Sequence, residues 1–179
     1  MTMDTTVTAP QLLMQFMEEY WGVTFVNDVI VEGNSSMMLQ GNPLYMIPTM
    51  GSHEITREIK NNKLRVLWPQ SRSIKITEKP GVTVDELAST SSSALSKPIG
   101  ENMRFERQEN DVEGTHVLSA ALSYTDYNAK TETKIVVCGS SVFLDSSLLD
   151  DASLANRDYV YGIVRYLGDG GENASLSIA

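Results

Sequence analysis

The chain has 179 residues, of which 41% are hydrophobic and 21% are charged, so it suits one globular domain rather than a disordered segment. Its formal net charge of −9 argues against binding to DNA or RNA, because neutralising phosphates requires an excess of Lys and Arg. No apolar run approaches the roughly 18 residues that span a bilayer. The single cysteine, Cys138, excludes an internal disulfide and a CxxC metal site.

The charges are distributed unevenly along the chain. Residues 57–107 contain ten of the 14 basic residues and six acids, whereas residues 1–56 contain six acids and no base. The residues after 107 contain eleven acids and four bases. We interpret the basic middle as a solvated surface rather than a docking face, because no run of basic residues alternates with aromatic ones.

The first third of the chain predicts a lead-in, one helix and a long loop. Residues 1–9 are polar, and Pro10 stands where a helix would begin. The helix is predicted to end at Gly22 and to carry an apolar stripe of Leu12, Leu13, Phe16, Met17 and Tyr20. Residues 23–32 then predict a strand or strand pair. Residues 33–51 predict a long loop, which in a compact domain is usually functional or mobile.

The middle of the chain predicts one short helix and several strands. The helix is predicted over residues 53–59, and the strands over 64–68, 71–77, 116–122 and 135–139. A Ser-rich run at residues 89–93 suits either a strand edge or a loop.

The last quarter is the most informative stretch, because it predicts a buried strand, a polar loop and an amphipathic helix in that order. Ile135, Val136 and Val137 form a β-branched run typical of the centre of an α/β sheet. The helix is predicted to be capped by Asn156 and to bury Val160, Ile163, Val164 and Leu167. We therefore predict one α/β domain over residues 10–179, with a mostly parallel sheet, flanking helices and a polar loop at a strand's carboxyl edge.

Cys138 is the one candidate nucleophile at a strand end. Nucleophilic catalysis would need a base in reach, and the two histidines, His53 and His116, have no recognisable partner motif. The following residues also do not fit the G-x-S-x-G elbow. A buried structural cysteine is the favoured interpretation.

Three acids, Asp145, Asp150 and Asp151, follow that strand and could hold a cation, but their spacing fits no EF-hand loop. We interpret them as a solvated loop and expect neither a metal nor another cofactor.

Six motifs occur in an order that resembles the extracytoplasmic domain of the gliding-motility-type ABC transporter auxiliary proteins. They are LMQFMEEYWGV, NDVIVE, SHEITREI, LRVLWPQSRSI, VVCGSSVFLD and ANRDYVYGIVRYL, and the resemblance spans roughly residues 10 to 168. It implies a fold similar to that of class I glutamine amidotransferases without their catalytic apparatus, in an incomplete form because the family's earlier α/β half has no counterpart here. It also implies a larger parent protein whose transmembrane helices anchor this domain to the cell membrane.

We therefore expect a non-catalytic accessory domain of an ABC-type export system, on the extracytoplasmic face and in contact with the permease or ATPase subunits. The alternatives are a cysteine-dependent hydrolase or amidotransferase-like enzyme using Cys138, and an oligomerisation module. Recognition is expected from the loops 33–51 and 140–155 and from residues close to them. The candidate recognition residues are Asn42, Tyr45, His53, Arg72, Ser140, Ser141, Asp145 and Asn156.

Overall fold

The computed structural model describes residues 11–100, 104–126, 128 and 130–168. Within these residues the helices are α1 (Gln11–Trp21), α2 (Arg57–Asn61), α3 (Ser146–Leu149) and α4 (Asn156–Gly168). The strands are β1 (Val23–Phe25), β2 (Asp28–Val31), β3 (Met38–Leu39), β4 (Asn42–Met46), β5 (Thr49–Met50), β6 (Trp68–Pro69), β7 (Ile74–Ile76), β8 (Val82–Ser89), β9 (Leu95–Pro98), β10 (Val112–Glu113), β11 (Val117–Asp126) and β12 (Thr131–Cys138). The predicted lead-in at residues 1–9 lies outside the described residues.

The strands form three antiparallel sheets. The main sheet has six strands in the order β1-β7-β11-β8-β5, with β12 pairing with β11. Two three-stranded sheets have the orders β10-β9-β2 and β3-β4-β6. Every strand pairing among the described residues is antiparallel.

The prediction of a mostly parallel sheet, similar to the amidotransferase fold, is therefore wrong. A parallel neighbour requires a crossover connection of a dozen or more residues. Instead, β11 and β12 pair as a hairpin, in a register from Ser119 opposite Cys138 to Asp126 opposite Thr131. A β-branched run such as residues 135–137 indicates only that both faces of the strand are covered. An antiparallel strand between two apolar layers is covered in the same way, so the run does not distinguish a parallel sheet from an antiparallel one.

Apolar clusters cover both faces of the main sheet. Successive side chains of a strand point to opposite faces. Accordingly, Val136 and Cys138 belong to one buried cluster and Val137 to another. The first cluster contains Tyr159 of α4, and the second contains Met17 of α1. Helices α1 and α4 therefore lie on opposite faces of this sheet.

The buried face of α4 differs from the predicted stripe. Its inward residues are Asn156, Tyr159, Gly162 and Tyr166, whereas Val160 and Ile163 are half-buried and Val164 and Leu167 are exposed. A Cβ added to Gly162 would stand 2.6 Å from the carbonyl oxygen of Ile55, so the helix meets neighbouring backbone at its glycine. This close approach fixes the rotation of the helix, which its aliphatic spacing alone does not.

The predicted loop at residues 33–51 contains the short strands β3, β4 and β5 rather than irregular chain. Pro43 lies within β4, and in this strand the neighbouring Asn42 and Tyr45 pair with residues of β3 and β6. Asn42 also accepts the N–H of Leu44 through its side chain, at 3.0 Å. Proline is tolerated in such short, irregular strands because few ladder hydrogen bonds depend on its missing N–H.

Two buried carboxylates, Asp28 and Glu32, hold serine-bearing segments against β2. Asp28 accepts hydrogen bonds from the hydroxyls of Ser73 and Ser96, at 2.5 and 2.6 Å. Glu32 accepts the N–H and the hydroxyl of Ser91. The Ser-rich run therefore supplies two of the hydrogen bonds that this buried carboxylate requires, and the N–H of Asn34 supplies another at 2.9 Å.

No helix among the described residues is long and apolar enough to cross a membrane.

Candidate functional site

Cys138 lies at the end of β12 in a buried chain of hydroxyls. Its Sγ is 3.3 Å from Oγ of Ser119, which also donates to the carbonyl of Val137 at 2.9 Å. The Tyr159 hydroxyl of α4 donates to the same Ser119 oxygen at 2.7 Å. These bonds join β11, β12 and α4, so the thiol belongs to the packing of the helix on the sheet.

This environment keeps the thiol protonated. Burial raises the pKa of Cys138 to about 11, against the opposing effect of the Ser119 hydrogen bond. The reactive form of a cysteine is the thiolate, and reactive cysteines are partly exposed. The geometry therefore does not favour the use of Cys138 as a nucleophile.

Both histidines are engaged away from Cys138. The ring of His53 lies edge-on to Tyr166, with 4.8 Å between the ring centroids, and its Nδ1 accepts the N–H of Ile55. Nε2 of His116 is 3.1 Å from the carbonyl oxygen of Val112. His53 therefore stabilises the turn before α2 and packs against α4.

Several of the candidate recognition residues are buried or half-buried and make hydrogen bonds within the fold. Ser140 is buried and donates to the carbonyl of Pro69 at 2.6 Å, and Ser141 is half-buried beside it. Arg72 is also half-buried, and its backbone N–H donates to the carbonyl of Gly139. Tyr45 is exposed, but it lies on β4 and not on a loop.

Asn156 is buried and does not act as the predicted cap. Its Oδ1 accepts the N–H of Leu67 at 2.9 Å. Its Nδ2 donates to the carbonyls of Leu67 and Phe143, at 2.8 and 3.1 Å. The amide therefore joins the start of α4 to two distant segments, a contact that no local sequence pattern reveals.

The acids after β12 are used in local turns. Asp145 caps α3 by accepting the N–H of Ser147 at 2.8 Å, and Asp151 binds Ser153 in the same way. Hydrogen bonds from the hydroxyls of the same two serines, together with these N–H bonds, lower the pKa values of both carboxyls. Asp150 pairs with Arg157. Among the described residues, no three His, Cys, Asp or Glu side chains are grouped as a metal site.

Helix α1 turns an apolar stripe away from the protein. Met17 and Trp21 face the core, whereas Leu12, Phe16 and Tyr20 are 81%, 47% and 59% exposed. These three lie four residues apart on one side of the helix, and the rings of Phe16 and Tyr20 are in contact at 5.2 Å. We call this surface, together with the exposed Leu13, the α1 outer face.

Helix α4 also exposes Tyr161, Val164 and Leu167, but in a different setting. Arg157, Asp158 and Arg165 lie within four residues of Tyr161 and are exposed. Charges of both signs therefore border the apolar surface of α4, whereas the charged residues of α1 are the two acids Glu18 and Glu19, near the end of its stripe.

Sequence reasoning also missed a small polar cleft beyond the end of β9. It has a volume of about 150 Å³ and is lined by Lys97, Pro98, Gly100, Arg104, Gln108, Asn110 and Asp111. Its floor is an ion pair between Lys97 and Asp111, whose side chains are only 3% and 2% exposed. No motif marks this site, because the two charges come from separate segments.

Comparison of the chain with protein-family models, with curated proteins and with solved structures finds no match.

Proposed function

We propose that this chain is a non-catalytic accessory domain that binds a partner protein through the α1 outer face. The observation that carries the proposal is the continuous stripe of Leu12, Phe16 and Tyr20. Burying one large apolar side chain contributes roughly 1.5–3 kcal/mol, so a partner covering the stripe would gain more than from scattered apolar residues.

The charges around the stripe indicate the chemistry of the partner. Glu18 and Glu19 are exposed on α1, and residues 1–56 contain no Lys or Arg. A complementary surface would present apolar side chains flanked by Lys or Arg. We therefore propose that the partner covers the α1 outer face with a basic, apolar protein surface.

We further propose that the partner is a permease subunit of an ABC-type export system and that binding occurs on the extracytoplasmic face. This part of the proposal rests only on the ordered motifs that resemble the auxiliary protein family. It does not rest on the fold that the resemblance implies, since the observed sheets are antiparallel.

Site-specific photo-crosslinking in the native cell tests the proposal. A photoreactive amino acid at Phe16 is expected to crosslink to the permease, and the same probe at Tyr161 of α4 is the matched control. Changing Glu18 and Glu19 to Gln should lower the yield at position 16. No crosslink to the permease, or equal yields at both positions, would contradict the proposal.

Light scattering on the purified chain distinguishes the oligomerisation alternative. A partner-binding domain is expected to be monomeric when alone. A dimer that dissociates on Phe16→Ala would show that a second copy covers the α1 outer face, and would replace the permease as its occupant.

A thiol titration tests the enzyme alternative. We expect Cys138 to resist alkylation by iodoacetamide at neutral pH until the protein unfolds, because the thiol is buried and protonated. Rapid alkylation of the folded protein would favour the cysteine-dependent enzyme over the accessory domain.

A further inference from the structure

The cleft beyond β9 has a rigid, charged floor. Nζ of Lys97 donates to Asp111 and also to the carbonyl of Glu106, at 2.7 Å. The Asp111 carboxylate accepts the backbone N–H of Gln108, at 2.7 Å. Burial acts to raise the pKa of Asp111, but these hydrogen bonds and the charges of Lys97 and Arg107 hold it below its ordinary value.

These bonds fasten the segment 104–111 onto β9. A buried ion pair is costly to desolvate, and it persists only where its remaining hydrogen-bonding groups have partners. Here Lys97 also donates to a carbonyl of the segment 104–111, and Asp111 accepts an N–H from within that segment. The cleft is therefore preformed, which lowers the free-energy cost of ordering its residues when a ligand binds.

The two arginines of this segment differ in their partners. Arg107 pairs with Glu113 on the protein's surface. Arg104 is exposed, lines the cleft and has no ion pair among the described residues. A guanidinium is a planar fork whose geometry matches a carboxylate. The amides of Gln108 and Asn110 add donors and acceptors beside it.

The charged residues that line the cleft favour a ligand with one negative charge. Lys97 and Arg104 are opposed there by Asp111, which leaves one net positive charge among the described lining residues. Lys97 is already neutralised by Asp111, so among the described lining residues Arg104 is the cation left for a ligand. A dianion such as phosphate carries more negative charge than this single cation can neutralise.

The volume limits the size of the ligand. A protein cavity of about 150 Å³ holds a molecule the size of benzene, so a carboxylate and a short polar group fit, whereas a nucleotide does not. We propose that this cleft binds a small monocarboxylate, held by Arg104 and by the amides of Gln108 and Asn110. This site is separate from the α1 outer face and does not depend on the function proposed for it.

The carboxylate could come from a free acid or from the C-terminus of a peptide, and NMR titration of the ¹⁵N-labelled protein distinguishes them. The probes are acetate, N-acetylglycine, its uncharged amide and inorganic phosphate. We expect N-acetylglycine or acetate to shift the signals of Gly100, Gln108 and Asn110 saturably. The tighter of the two identifies the source, and the amide and phosphate should bind at least about tenfold more weakly than it does.

Two matched variants assign the binding to the cleft. Arg104→Gln should weaken carboxylate binding about tenfold or more, and Arg104→Lys should restore part of it. Arg165→Gln, an exposed arginine of α4, should leave binding unchanged. Unchanged signals elsewhere in the spectrum report that each variant is folded. The proposal is overturned if no probe saturates, if phosphate or the amide binds as tightly, or if the Arg104 and Arg165 variants behave alike.

Discussion

Helices α1 and α4 cover opposite faces of the same sheet, but they are attached to it in different ways. Helix α4 is held by polar contacts and close backbone packing: Asn156 binds two distant segments, Tyr159 binds Ser119, and Gly162 meets the carbonyl of Ile55. Helix α1 contributes mainly Met17 and Trp21 to the core. It then ends at Gly22, whose positive φ of 68° suits glycine.

This difference separates a structural helix from a candidate interaction helix. Several directional bonds fix the rotation of a helix about its own axis, even where this leaves an aliphatic residue such as Val164 54% exposed. A helix held mainly by apolar side chains on one side, here Met14, Met17 and Trp21, can offer its other side to a partner. The contrast predicts that substitutions in α4 lower stability, whereas substitutions on the α1 outer face lower binding.

The largest expected effect is at Asn156. Asn156→Ala leaves the backbone groups of Leu67 and Phe143 without their buried partner, so we expect a loss of about 3 kcal/mol in the free energy of unfolding. Chemical denaturation measures it. Asn62→Ala is the control, because the Asn62 side chain donates to one exposed carbonyl. This variant should lose about 0.5 kcal/mol in the free energy of unfolding. Equal losses would mean that α4 is not fixed by this amide.

Alkaline pH should weaken the attachment of α4 through Cys138. The folded-state pKa is raised, so this contribution to stability is fully present below pH 9.0 and is lost as the pH rises to about 11. A shift of this size corresponds to about 2–3 kcal/mol. Denaturation at several pH values, for the wild type and for Cys138→Ala, isolates the thiol. If the free energies of unfolding of the two proteins changed with pH in parallel, the thiol would not contribute to the pH dependence of stability.

Gly162→Ala tests the close approach of α4 to Ile55. The added methyl group would stand 2.6 Å from a backbone oxygen, and the cost of displacing the helix exceeds the gain in helix propensity. We expect a net loss of about 2 kcal/mol in the free energy of unfolding. Gly168→Ala, where the added methyl group would meet none of the described residues within 4 Å, should change it by no more than about 0.5 kcal/mol. A stabilising Gly162→Ala would show that α4 can rotate.

The smallest losses of stability are expected at half-buried and exposed positions of the two helices. Ile163 is half-buried against the core, so Ile163→Ala should cost about 1.5 kcal/mol. Val164→Ala and Leu12→Ala should each stay within about 0.5 kcal/mol, because both side chains are exposed. Denaturation of the three variants under one set of conditions measures the order. A large loss for Leu12→Ala would mean that α1 is part of the core and not a docking helix.

The buried charges could not be predicted from local sequence. Asp28 begins β2 and Glu32 directly follows it, and their partners Ser73, Ser91 and Ser96 come from other segments. Lys97 and Asp111 meet in the same way. A charged residue predicts exposure unless its partner is known, and the partner is known only once the strands are paired. The cleft of the second pair was therefore beyond sequence reasoning.

The sequence by itself placed the terminal helices and the apolar parts of β11 and β12, predicted over residues 116–122 and 135–139, because apolar periodicity and glycine stops act over a few residues. Both strands extend further towards the turn that joins them, over Val117–Asp126 and Thr131–Cys138. Strand direction and the buried face of each helix were decided by tertiary structure. A β-branched strand fits both parallel and antiparallel sheets. The rotation of α4 about its axis is set by the contact of Gly162 with Ile55, which is far away in the chain. Such contacts between distant segments leave no periodic pattern in the sequence.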